Sequence, residues 1–198
     1  MPDDDNTIQT PLNFIAEVLE DADFPVVFQE KNENSPVEQV FIPLEHDKEE
    51  LSGALQILFI NDLTKTLGVT EEDEDEDDVQ LLQFFMLCPF QCKAETCSEV
   101  ALLILALNRI LPIGAFGMSQ KEHTIYFQYV LALEDQEDAV NPMVILEVVS
   151  MISMFVIEFI ESIALVAKGE KTADALLEEM EAKGMVLPPL GFPQQPSE

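Results

Sequence analysis

Basic residues are scarce in this chain. Nine Lys and Arg stand against 39 Asp and Glu in 198 residues, a formal net charge of −30. A field of that sign repels DNA, RNA and anionic lipid headgroups, which are held through Lys and Arg. Nucleic acid is therefore excluded as a partner class. The charge favours basic partner segments, and with or without a partner it keeps a chain that is 47% hydrophobic in solution.

Residues that carry chemistry are equally few. The two histidines, His46 and His123, each lie beside charged residues at the edge of an expected strand, and neither is near a cysteine in sequence. Both read as surface positions. The three cysteines, Cys88, Cys92 and Cys97, have three and four residues between them. Structural zinc sites pair cysteines across two residues and need a fourth ligand, so no metal is expected. An odd number cannot all pair within one chain, which fits a reducing compartment. A thiol nucleophile would want an imidazole partner, and the spacing offers none. The seven glycines are scattered, with no GxGxxG, phosphate loop or GxSxG among them. No cofactor is expected, no catalytic residue stands out, and the chain reads as a non-enzyme. The start, MPDDDNTIQT, is acidic and polar instead of basic and then apolar, so no secretory leader is expected and the reading is cytoplasmic.

The length suits one domain with appendages. Residues 1–10 read as a disordered lead, 11–168 as an α+β domain with an acidic loop at 63–78, and 169–198 as a terminal helix and the proline-rich tail VLPPLGFPQQPSE. Pro11 at a first helical turn, followed by Leu12, Ile15, Val18 and Leu19, predicts a helix to Ala22. Val26–Phe28, Gln39–Leu44 and Ala54–Ile60 follow as strands of an antiparallel meander. Residues 71–78 are all acidic and read as a solvated loop. They do not make a calcium loop of the EF-hand type, since no Gly and no terminal Glu fall at the required offsets. Val79–Cys88 is expected as a strand buried on both faces. Thr96 or Ser98 would cap a buried helix from Ser98 to Leu111, with Glu99 in its first turn and Pro112 at its end. Gly114–Ser119 and His123–Leu133 form a hairpin around SQKEH. Asn141 as cap and Pro142 behind it open a long apolar helix that Gly169 breaks, and Thr172 caps a last helix to Lys183. The fold class is α+β, an antiparallel sheet packed against helices in the order α-β-β-β-β-α-β-β-α.

Met143 to Val166 is long and apolar enough to cross a bilayer. Glu147, Glu158 and Glu161 lie within it, and each charge near a bilayer centre costs about 2–4 kcal/mol. With Ser150 they trace one narrow polar stripe, which describes a buried helix of a soluble protein with one wet edge instead of a membrane insertion. The helix is apolar on more sides than one sheet can cover. Either the helix at Ser98–Leu111 covers the excess, or a second copy or a client chain does. The candidate partner-binding residues are Met143, Leu146, Met151, Met154, Phe155 and Phe159.

The stretch LNRILPIGAFGMSQKEHTIYFQYVLAL and the helix beginning NPMVILEVV resemble the YbjN-like family, which shares the fold of type III secretion chaperones. The pattern falls on Leu107, Asn108, Leu111, Pro112, Gly114 and Phe116, and then on Ile125, Tyr126, Phe127, Tyr129, Leu131 and Leu133. It covers roughly residues 11–168, and from Pro11 to Cys88 only the order of elements agrees. The resemblance implies a chaperone-type α+β sandwich, dimeric and not an enzyme, that holds a client protein or peptide in extended form, often by adding a strand to the sheet edge. YbjN-like proteins are also described as regulators, so a regulatory protein acting through partner or ligand binding is the alternative. The acidic run, the helix after Gly169 and the tail depart from both patterns.

Overall fold

Local signals set the first helix, α1 (Pro11–Asp21). Thr10 Oγ1 accepts the Asn13 N–H at 3.2 Å, and Pro11 sits where its missing N–H costs nothing. The helix buries Leu12, Ile15, Ala16 and Leu19. The computed structural model describes residues 10–33, 35–68, 79–133 and 140–185. Of the lead expected at 1–10, residues 1–9 lie outside the described residues, as do the acidic run at 71–78 and the proline-rich tail, whereas Thr10 is the cap of α1.

Strands β1 (Val27–Gln29), β2 (Gln39–Leu44) and β3 (Gly53–Phe59) follow. Short helix α2 (Ile60–Thr66) then leads to β4 (Gln80–Gln91). Helix α3 (Cys97–Leu107), the hairpin β5 (Ala115–Ser119) and β6 (Thr124–Leu133), and helices α4 (Pro142–Ala167) and α5 (Ala173–Ala182) complete the order. The strands make one antiparallel sheet in the order β1-β2-β3-β4-β6-β5. The protein is α+β, a sheet packed against helices. Successive side chains of a strand point to opposite faces. Val40, Ile42, Leu55, Ile57, Leu82, Phe84, Met86, Phe116, Ile125 and Phe127 share the inner face and are buried. Helices α1, α3 and α4 close that face, with Ile15, Leu103, Val149, Ile152 and Ile163 in the same core.

Several elements differ from expectation for local reasons. The third strand stops at Phe59, and Ile60 opens α2 in place of a loop. Asn61 anchors that turn to the next strand, accepting the Leu81 N–H at 2.7 Å and donating to Val79 O at 3.1 Å. Strand β4 runs past Cys88 and through Pro89 to Gln91, because its register against β6 shifts between Leu87 and Gln91. A proline, which has no N–H to donate, is tolerated at such an irregularity. Nor is β4 buried on both faces: Leu82, Phe84, Met86 and Cys88 are buried, whereas Leu87 is exposed.

Helix α3 ends at Leu107, before Pro112, and it is not wholly buried, since Leu102 and Leu105 are exposed. Thr96 stands at the cap position without capping; its hydroxyl points at Ala167 O (2.9 Å) and Lys93 O (3.0 Å) and ties the start of α3 to the end of α4. Glu99 instead accepts the Ala173 N–H at 2.9 Å, so it caps α5 from another helix. Asn141 and Thr172 cap α4 and α5 as expected, and Gly169 takes φ 74 where α4 ends.

Asn108 explains why the chain turns where it does. Its Nδ2 donates to Phe116 O at 3.0 Å, and its Oδ1 accepts the Phe116 N–H at 2.8 Å. One side chain thus satisfies both backbone groups of a β5 residue and fixes that strand beside α3. Asn108→Ala leaves both groups without this partner and should cost about 1–3 kcal/mol. Urea denaturation monitored by circular dichroism measures the loss, and an unchanged midpoint would remove the clamp from the account.

Candidate partner-binding surface

The outer face of the sheet is unusual in what its strands contain. Among the described residues, none of the six strands carries Asp, Glu, Lys, Arg or His. An antiparallel sheet that shows one face to water normally reads apolar inside and polar outside, and this chain is 24% charged. The strands' outer positions are filled by glutamines, aromatics and aliphatics instead.

Register places them in rows. Val27 lies opposite Phe41, Phe41 opposite Gln56, Gln56 opposite Phe85, and Phe85 opposite Gln128, which pairs with Ala115 at the far edge. A second row sets Leu87 beside Tyr126 and Tyr126 beside Gly117. The Phe85 and Tyr126 rings stack with centroids 5.7 Å apart. Gly117 leaves room for Tyr126, since a Cβ there would come within 2.4 Å of the ring. Gln56 donates to Gln39 across β2 and β3. Among the described residues Phe41, Leu81, Phe85, Leu87, Tyr126 and Val130 take no part in the core. Val27 and Leu87 are 54% and 52% exposed. Beside the β5 edge, Gly114, Gly117, Tyr126, Gln128 and Val130 line a shallow depression of about 430 Å³. The signal that could have found this face is the absence of charge from every strand; only the register shows that the outer positions line up as one surface.

The residues expected to contact a partner lie on α4, and the structure divides them. Met143 and Met154 are 64% and 57% exposed. Leu146 and Phe155 are half-buried against the core, and Met151 is half-buried. Phe159 is 1% exposed, stacked on Phe155 at 6.2 Å, and is out of a partner's reach. Val144 and Ile157 are also exposed on this helix. Helices α1 and α3 both pack against α4. Among the described residues α4 alone has the length and hydropathy of a membrane span, and in the structure its Ile145, Val149, Ile152, Phe159 and Ile163 side is built into the core.

A cleft of about 450 Å³ opens between α4 and α5, lined by His46, Glu158, Glu161, Lys171, Glu179 and apolar neighbours. Lys48 donates to Glu161, and Lys171 to Glu179 at 2.6 Å. The bonded lysines hold both carboxyls below the usual carboxylate range. These are solvent-facing pairs, screened by water and of little weight in stability.

Sequence spacing separates His123 from the cysteines, and the fold reunites them. Cys92 donates its N–H to His123 O at 2.9 Å, and Cys92, Cys97 and His123 offer ligand atoms that all lie within 4.8 Å of one another. Burial pushes the thiols of Cys88 and Cys92 up to about 12, with a hydrogen bond to Cys97 adding to the effect at Cys92.

Neither protein-family models nor curated proteins return a match to this chain.

Proposed function

We propose that this chain is a non-enzymatic protein-binding module: a cytoplasmic chaperone-like or assembly-factor domain, working as a homodimer, that holds a client polypeptide. The reading follows the resemblance to the YbjN-like and type III secretion chaperone families. The observation that carries it is the uncharged outer sheet face on a chain of net charge −30. Taking a charge out of water without a partner is costly. A face without charges can be covered without that cost, and it gives a buried ionic group on the client nothing to pair with. The client segment is therefore apolar and uncharged-polar, and glutamine side chains, which both donate and accept, satisfy its backbone. Phe41, Phe85 and Tyr126 supply large rigid contact area, the residue class that dominates interface energetics.

The cleft between α4 and α5 favours a second reading, a regulatory protein that responds to a small charged ligand. The two readings separate in one experiment. A chemically denatured, weakly charged test protein is diluted into buffer with and without this chain, and aggregation is followed by light scattering. The binding-module reading expects suppression near equimolar ratio and a native mass near twice 22.2 kDa. No suppression at large excess, with a monomeric mass, overturns it. A ligand-dependent rise in melting temperature without any suppression supports the regulator.

A further inference from the structure

The cluster of Cys92, Cys97 and His123 is assembled by three separate pieces of backbone. The register shift near the end of β4 carries the chain to Cys92, whose N–H meets His123 O. The 3-10 turn Ala94–Thr96 returns the chain so that Cys97 begins α3. His123 closes the turn between β5 and β6 with φ 57. The sulfurs of Cys92 and Cys97 are 2.7 Å apart, and Met118 Sδ lies 3.6 Å from Cys92 Sγ. Cys92 is buried, while Cys97 and His123 are half-buried, so the group is sheltered on one side and reachable from solvent on the other.

Two thiols and an imidazole are the donor set of a borderline-soft cation, and three protein ligands leave a fourth position open. Met118 adds a soft, polarizable wall beside Cys92. Zinc–sulfur bonds of about 2.3 Å in a tetrahedral site put two sulfurs roughly 3.8 Å apart. The pair must therefore open from 2.7 Å, and Cys97, half-buried in the first turn of α3 with its sulfur 3.3 Å from Lys93 O, is the more accessible of the two side chains. We propose that Cys92 Sγ, Cys97 Sγ and one imidazole nitrogen of His123 bind a single Zn²⁺ ion, with the fourth position left to water or an incoming ligand. The ion pins the end of β4, the start of α3 and the β5–β6 turn together. Binding releases the thiol protons, so it weakens on acidification. The site stands independently of the protein-binding reading.

Co²⁺ is the probe, added to the full chain reduced with a phosphine. Cobalt bound by thiolates gives a charge-transfer band in the near ultraviolet, which the many carboxylates cannot produce, and tetrahedral ligand-field bands in the visible far stronger than those of octahedral carboxylate-bound cobalt. One equivalent should saturate these bands, and Zn²⁺ should bleach them and raise the melting temperature. Cys97→Ser should abolish them, and His123→Gln should weaken binding by at least the roughly tenfold that an outer-shell change costs. Cys88→Ser should leave them unchanged. Cys97 is half-exposed, so its variant folds even if Cys92→Ser does not. The proposal is overturned if the reduced chain gives no thiolate band, if the band survives Cys97→Ser, or if equimolar Zn²⁺ fails to protect the pair from oxidation to a disulfide.

Discussion

Phe85→Glu should leave the fold standing and remove client binding. Phe85 faces outward from the middle of the sheet, between Gln56 and Gln128, with its ring on Tyr126. It lies outside the core, so the folded state loses chiefly the ring pair, about 0.5–1.5 kcal/mol. The bound state loses far more. Truncating a central aromatic costs about 2–4 kcal/mol of affinity, and each 1.4 kcal/mol is about tenfold, so binding falls at least about thirtyfold. The carboxylate adds the desolvation of a charge in a face that offers no cation. A titration of the fluorescently labelled test polypeptide measures the affinity, and a melt measures the fold. Met154→Glu, on the exposed stripe of α4, should cost little by comparison. If Met154→Glu abolished binding and Phe85→Glu did not, the working surface would be the helix.

The largest loss of stability is expected from adding one methyl group, at Gly114. Its φ is +66, and a Cβ there would sit 2.4 Å from the tip of the Phe127 ring and 2.9 Å from Gln128 O. The left-handed backbone costs a non-glycine residue about 1–2 kcal/mol. The clash adds about 1–3 kcal/mol, because Phe127 is 1% exposed and has nowhere to retreat, while the oxygen belongs to the backbone of β6. Gly114→Ala should therefore lower stability by about 2–5 kcal/mol, read as a shift in denaturant midpoint with an unchanged slope. Gly68→Ala is the control. Gly68 has nearly the same φ, +65, with no atom of the described residues within 4 Å of a Cβ, so it should show the backbone cost alone. Equal losses at the two positions would contradict the close approach of Phe127.

Residues that act locally were the legible ones. The caps at Asn141 and Thr172, the prolines at 11 and 142 and the glycine after α4 act on their immediate neighbours, and the elements they bound lie where expected. The α+β class follows from that order. What escaped the sequence depends on contacts between separate elements. Asn61 turns the end of β3 into α2 by reaching a strand about twenty residues on, and no local pattern announces it. Just past the end of α3, the Asn108 side chain bonds both backbone groups of Phe116. Thr96 and Glu99 bond distant backbone groups instead of capping their own helix.

The same limit applies to the candidate site. The apolar excess of α4 is plain in composition, yet composition does not say which side chains α1, α3 and the sheet enclose, and Phe159 falls inside the core. Glutamines and aromatics of four strands become one uncharged surface only once register sets Phe41, Gln56, Phe85 and Gln128 side by side. Cys92 and His123 are far apart in sequence and meet only through the β4–β6 pairing.

Hydroxyl-radical footprinting with and without a bound client tests the central claim most directly. Phe41, Phe85, Leu87 and Tyr126 should oxidise readily in the free protein and become protected in the complex, while Met143 and Met154 on α4 keep their reactivity. Protection confined to Met143 and Met154, with the sheet aromatics unchanged, would contradict the account.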